Sequence, residues 1–231
     1  MSLKGCILLY GESFRLGGQT THNRGRPESY EPQIHAANSH MSFIKETNVD
    51  MDVYLSTYDT SFSNDLRNVY GEKLIGCDLY NELIGQNNLI NKALKNITVE
   101  SYDFILIMRI DLFLKPLFTK LFDSTWNTIR WPCICFKPHH KCGPHPRIND
   151  MMVFIPKKYY SYLNHMYHSH DSWMHFIKNT NLTYNDLDTM LTTYHDSDSA
   201  KDFNPIYSIV NRPECSIQHT SSTDYFDKWN L

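Results

Sequence analysis

The sequence predicts a single α/β domain with a mostly parallel central sheet flanked by helices. Three observations predict it. Short apolar runs alternate with helix-period segments through the first half, the order of a parallel sheet with crossover helices. The run from Phe104 to Met108 reads as a buried strand that delivers Arg109 and Asp111 to its carboxyl end, where ligands of open α/β sheets bind. The chain has 231 residues, enough to bury a full core, and shows no internal repeat, low-complexity tract or linker.

The elements follow in order. Cys6 to Tyr10 is a short apolar strand, and Gly11 to Tyr30 is a polar stretch with Gly17-Gly18 and three arginines that reads as a long loop. Glu31 to Thr47 carries apolar residues at Ile34, Ala37, Met41 and Ile44, with Pro32 near its start, and fits a helix. Met51 to Ser56 is a strand, Asp59 to Tyr70 a turn and short helix, and Lys73 to Cys77 another strand. Leu79 to Leu94 fits a helix despite Gly85, and the strand ending near Asp111 follows. The second half is less regular. Ile129 to Phe136 is a strand interrupted by Pro132, Lys137 to Arg147 a Pro/His/Gly loop, and Asp150 to Ile155 a strand. Lys157 to His168 and Trp173 to Lys178 read as helical, Thr183 to Tyr194 as a helix capped by Thr183 or Asn185, and Pro205 to Val210 as a last strand.

Composition narrows the class. The chain is 41% hydrophobic and 20% charged, as in soluble globular proteins. Its net charge of −3 and lack of a basic block argue against nucleic acid as a partner. Six cysteines form no regular framework, which favours a reducing compartment. The N-terminal apolar run of five residues is too short for a signal peptide or membrane span. The expectation is a soluble enzyme, or a domain of something longer.

Several residues are placed for chemistry. Gly11 and Arg15 belong to the first βα loop, a common nucleotide contact, and Arg15 suits a phosphate or a base. Thr57, Tyr58 and Asp59 offer a hydroxyl, a ring and a carboxylate at the second strand's end, which suits a uracil and ribose pocket; Asp59 also reads as a turn residue. Asp111 is the best-placed candidate for a hard cation, with His219 as a second ligand; the plainer readings are a surface ion pair with Arg109 for Asp111 and an exposed side chain near the C-terminus for His219. The literal Asp-x-Asp strings at Asp50, Asp186 and Asp196 lie before a strand, in the expected helix and in a polar loop. The loop from Cys133 to His145 is rich in zinc-type ligands, but its spacing matches no closed module, so it reads as a flexible active-site loop. Asn149-Asp150 either brings a second catalytic carboxylate or is a turn feeding a strand.

The strand-end Arg-Ile-Asp111, Ser-Thr-Tyr-Asp59, Asn-Asp150 before Met-Met-Val-Phe-Ile-Pro156, and Asn185-Asp-Leu-Asp-Thr-Met-Leu191 together resemble the small GT-A glycosyltransferase domains of chlorella viruses. The resemblance spans nearly the whole chain. It implies a GT-A-like, Rossmann-like fold with a nucleotide-binding half over about 1–115 and an acceptor half over about 116–231. It implies transfer from a UDP-sugar donor to a glycan hydroxyl, in retaining form, with Mn²⁺ or Mg²⁺. Under it, Asp111 and His219 hold the metal, Asp150 and Asp188 are catalytic, and Gly11, Arg15, Thr57, Tyr58, Asp59 and Arg109 bind the nucleotide. It further implies action on viral capsid-protein glycans in the host cytoplasm, alongside further glycosyltransferase domains. Arg109 departs from the pattern, standing where the motif has its first Asp. Two other classes remain open: a nucleotide-sugar or carbohydrate-binding module without turnover, and a metal-dependent phosphohydrolase, which needs several strand-end carboxylates.

Overall fold

The computed structural model describes residues 3–16, 23–132, 134–135, 147–148, 151–165, 180–191 and 206–210. Seven strands form the main sheet: β1 (Lys4–Gly11), β2 (Asp50–Tyr58), β3 (Leu74–Tyr80), β4 (Phe104–Arg109), β5 (Ile129–Trp131), β6 (Met152–Pro156) and β7 (Leu187–Thr189). Their order is β7-β5-β6-β4-β1-β2-β3. β6 runs antiparallel to both its neighbours, and the other pairings are parallel. Helices α1 (Tyr30–Thr47), α2 (Ser63–Tyr70), α3 (Gln86–Asn96) and α4 (Pro116–Leu121) flank it. This is the mostly parallel α/β domain that the sequence predicts.

Side-chain alternation assigns the two faces. Cys6, Leu8 and Tyr10 of β1 join Ile105 and Ile107 of β4 in one core with Leu89, Ile90 and Ala93 of α3. Ile7, Leu9, Leu106 and Met108 point the other way, into a core with Phe43 of α1, Leu66 of α2 and Phe118 of α4. All of β4 is buried, as a central strand covered on both faces must be. The Phe104 ring covers Gly5, where a Cβ would overlap it.

Several boundaries differ from the sequence expectation. Leu79 and Tyr80 complete β3, and the helix begins only at Gln86. Gly85 caps it at φ +78°, a conformation incompatible with a helix interior. The expected helix over 183–194 is instead a short 3₁₀ turn, Tyr184–Asp186, leading into β7. Asp186 stabilises that turn by accepting from the Thr183 N–H and hydroxyl, at 2.9 and 2.8 Å. The helical segment expected from Lys157 is a 3₁₀ helix, Lys157–His165. Pro132 ends β5, and Ile134–Cys135 pairs with Arg147–Ile148 outside the main sheet. The last strand, Tyr207–Ile209, pairs with Leu112–Leu114. The loop over 137–146 and the segment Trp173–Lys178 lie outside the described residues.

Helix α1 does more than cover the sheet. Its buried stripe contains three polar residues, Gln33, Ser39 and His40, among Ala36, Ala37, Phe43 and Ile44. Gln33 Nε2 donates to the Ile110 carbonyl at 2.8 Å, and Ser39 Oγ accepts from the Leu114 N–H at 2.9 Å. His40 Nε2 reaches the Leu112 carbonyl at 2.6 Å and Nδ1 the Tyr70 hydroxyl at 2.9 Å. A carbonyl only accepts, so Nε2 carries the proton and Nδ1 accepts from Tyr70. These bonds fix the chain that leaves β4.

Burial holds the His40 imidazole's pKa down at about 4, against opposing pulls from the Leu112 carbonyl and Asp111 charge. In the unfolded chain it titrates near 6.5. Between these values the unfolded state binds more protons, so stability falls as pH drops from about 6.5 towards 4. His40→Leu is expected to remove that part of the pH dependence. It should also cost about 2–4 kcal/mol in urea unfolding at neutral pH, because the Tyr70 hydroxyl and Leu112 carbonyl lose their partner.

Candidate functional site

The carboxyl ends of β1, β2 and β4 define the candidate cleft. β1 ends at Gly11, with φ +118°, where a side chain would be strained. Its carbonyl accepts from the Thr57 hydroxyl at 2.7 Å, and the Thr57 oxygen accepts from the Ser13 N–H at 3.2 Å. Thr57 is only 1% exposed. It fastens the end of β2 to the loop after β1, and its hydroxyl is already committed. Thr57 thus positions the loop beside the strand end that the sequence expects to form a uracil and ribose pocket.

Phe14 follows in the left-handed region, at φ +51°. Such backbone persists where its surroundings hold it. Here Gln33 Oε1 accepts the Phe14 N–H at 3.2 Å, and the ring packs on Tyr30 and Phe62 at centroid distances of 5.9 and 5.2 Å. The turn sends Arg15 into a short hairpin, Arg15–Leu16 with Asn23–Arg24, which the sequence presents only as loop. Arg15 and Arg24 are cross-strand partners.

Arg24 lies over the Tyr58 ring, its guanidinium carbon 4.2 Å from the centroid. Tyr58 is 2% exposed, and its hydroxyl accepts from the Gly85 N–H at 3.2 Å. Tyr58 is thus a platform for the Arg24 guanidinium. Asp59, one residue on, is exposed. Arg15 Nη1 stands 3.2 Å from Glu12 Oε2. Arg15 Nε and Nη2 and Arg24 Nη1 are buried and meet no acceptor among the described residues.

Arg109 and Asp111 form a buried pair. Arg109 Nε donates to Asp111 Oδ1 at 2.8 Å and Nη2 to Oδ2 at 2.5 Å. The two residues are 4% and 5% exposed, so this is no surface pair. Both carboxylate oxygens already face a cation, and a metal ion would have to approach beside a guanidinium. Among the described residues no group of three His, Cys, Asp or Glu side chains is placed to hold a metal. Among the described residues, Asp111 thus brings no second ligand for the expected Mn²⁺ or Mg²⁺, and both its oxygens are taken by Arg109; His219, the expected partner, lies outside them. Arg109, expected to face the nucleotide, spends its fork on Asp111.

Asp188 lies three strands beyond β4, in register with Arg130. Its Oδ2 is 2.6 Å from Arg130 Nη2. The structure thus gathers Gly11, Arg15, Thr57 and Tyr58 around the ends of β1 and β2, and sets Asp188 apart on β7. Asp150 and His219 lie outside the described residues. Glu12, Ser13, Arg24 and Gln33 are site residues that sequence reasoning missed; only the arginine content of the loop hinted at Arg24.

No protein-family model and no curated protein sequence matches the chain. Solved structures share its fold. A protein described as a nucleotide-diphospho-sugar transferase from Desulfovibrio desulfuricans G20 is 11% identical, covers 99% of this chain and 95% of its own, and superposes with a TM-score of 0.51. Drosophila β1,4-galactosyltransferase 7, as a D211N complex with manganese, UDP-Gal and xylobiose, is 11% identical over 90% of this chain and 71% of its own, with a TM-score of 0.47. A glycosyltransferase involved in glycosylation of the major capsid of PBCV-1 is 9% identical over 90% of this chain and 92% of its own, with a TM-score of 0.41. The first of these supports the GT-A-like fold; the other two are too distant to add to it. No helix among the described residues is long and apolar enough to cross a membrane.

A buried pair and a cleft carboxylate respond oppositely to mutation. Asp111→Asn is expected to destabilise the protein by about 3 kcal/mol in denaturant unfolding, because it strands a buried guanidinium. A carboxylate exposed to a cleft and waiting for a cation would instead show no loss.

Proposed function

We propose that this chain is a glycosyltransferase that takes a nucleotide-diphospho-sugar donor and passes the sugar to a glycan hydroxyl. The observation that carries the reading is a pair of arginines beside the carboxyl ends of β1 and β2 with buried donors that meet no acceptor among the described residues, in a fold shared with a protein described as a nucleotide-diphospho-sugar transferase. In the reaction, the bond between the sugar's anomeric carbon and the β-phosphate oxygen breaks, and its electron pair leaves with the phosphate. The acceptor oxygen bonds to the anomeric carbon. In a retaining transfer its proton passes to the departing phosphate oxygen; in an inverting transfer a carboxylate takes it. Positive charge beside the diphosphate favours departure because it opposes charge that develops in the transition state.

The finer assignments rest on the chlorovirus resemblance: a UDP-linked donor, retention, Asp150 at the donor sugar, Asp188 and the 116–231 half on the acceptor side, and work on viral capsid glycans in the host cytoplasm. Asp59, as the exposed acid at the end of β2, is the remaining candidate there for a ribose contact.

One observation favours a second reading, a binding module without turnover. Asp111, Glu12 and Asp188 are each engaged by an arginine, so none of these acids is a free base. A phosphohydrolase needs clustered carboxylates, and the described residues hold no such cluster.

UDP-sugars at about 100 times their Kd should raise the melting temperature by roughly 5–10 °C, more than GDP- or CMP-sugars do. UDP release in the presence of acceptor would then separate transferase from module. Equal shifts with all three nucleotides would remove the uridine assignment, and no shift with any would remove the donor reading.

A further inference from the structure

We infer that Arg15 and Arg24 bind the donor's diphosphate directly, as an anion site that needs no divalent cation at Asp111. The inference rests on the donor reading above, and the geometry carries it further. Arg109 grips Asp111 through its Nε and Nη2 edge. Arg15 presents the same edge, and there both nitrogens are buried without an acceptor among the described residues. An Nε/Nη2 edge is a fork matched to two oxygens of a carboxylate or phosphate. Arg15 Nη1 is the nitrogen that stands beside Glu12 Oε2, at 3.2 Å.

Arg24 stands directly across the hairpin and adds Nη1 to the same unsatisfied set. Like charges directly opposed across a strand pair repel, and unpaired buried donors cost free energy. Glu12 offsets one of the two charges and leaves the pair net positive. The hairpin is nevertheless well anchored. The Gly25 N–H donates to the Phe14 carbonyl at 2.9 Å, Arg24 rests on Tyr58, and Phe14 is held by Gln33. The fold therefore maintains a frustrated cationic pair at the carboxyl end of the sheet, where ligands of open α/β sheets bind. Two neighbouring guanidiniums match two linked phosphates better than a single carboxylate. Such a pair can do what a cation at a strand-end carboxylate does, namely neutralise the diphosphate as it leaves. That frees Asp111 to serve as the internal partner of Arg109.

The test is calorimetric titration of the full chain with inorganic phosphate, pyrophosphate and UDP, in EDTA and in Mn²⁺, together with melting curves. UDP and pyrophosphate should bind in EDTA about as tightly as in Mn²⁺, and more tightly than phosphate. Arg15→Lys, which keeps the charge but loses the fork, and Arg24→Gln should each weaken UDP by about tenfold or more. Without ligand, both variants should give a cooperative melting transition, which shows that they fold, although Arg24→Gln also loses the contact with the Tyr58 ring. Binding that vanishes in EDTA and returns with Mn²⁺ would overturn the inference, as would Arg15 and Arg24 variants that bind like the wild type. Transfer that requires Mn²⁺ would leave the glycosyltransferase reading standing and this inference fallen. Tight UDP binding in EDTA without turnover would do the reverse.

Discussion

The site depends on the route the chain takes after β4, and helix α1 sets that route. Gln33, Ser39 and His40 hold Ile110, Leu112 and Leu114 by backbone hydrogen bonds from one buried stripe. Buried backbone groups must find partners, and here a helix supplies them from its side chains. Gln33 also holds Phe14, so one residue ties the loop after β1 to the segment after β4. The left-handed turn at Phe14, the direction of Arg15 and the inward position of Asp111 are consequences of the same clamp.

Electrostatics then separates two kinds of arginine. Arg109 is paired, buried and fully used at its fork. Its contribution is structural, since breaking a buried pair leaves a desolvated charge behind. Arg15 and Arg24 hold buried donors that meet no acceptor among the described residues. Preorganised donors cost little to reorganise when charge develops on a ligand, which is what makes them effective in transfer chemistry. In the proposed account the strand-end carboxylate serves an internal ion pair, and the positive charge that meets the ligand comes from the neighbouring loop.

Much of the fold was legible because it follows from periodicity. The apolar runs of β1, β2 and β4 and the stripe of α1 have lengths and spacings that admit few alternatives. Gly85 misled because a glycine inside a helical pattern is tolerated, whereas its positive φ makes it a boundary. β7 was hidden because Leu187–Thr189 is three residues long and its pairing with β5 is non-local. At the site, the strand-end placement of Gly11, Thr57, Tyr58 and Asp111 was readable, but their partners were not. Thr57 hydroxyl to Gly11 carbonyl, Arg24 on Tyr58 and Gln33 to Phe14 join residues far apart in the chain, and no local pattern announces them. Arg109 and Asp111 are two residues apart on a strand end, so their contact was in reach; its burial was not.

The most direct measurement is a crystal structure grown with UDP and MnCl₂, with anomalous differences recorded for manganese. The account predicts the diphosphate on the guanidiniums of Arg15 and Arg24, Arg109 still on Asp111, and no manganese peak at the Asp111 carboxylate. A manganese ion coordinated by Asp111, with Arg109 turned away and the diphosphate held through the metal, would contradict it.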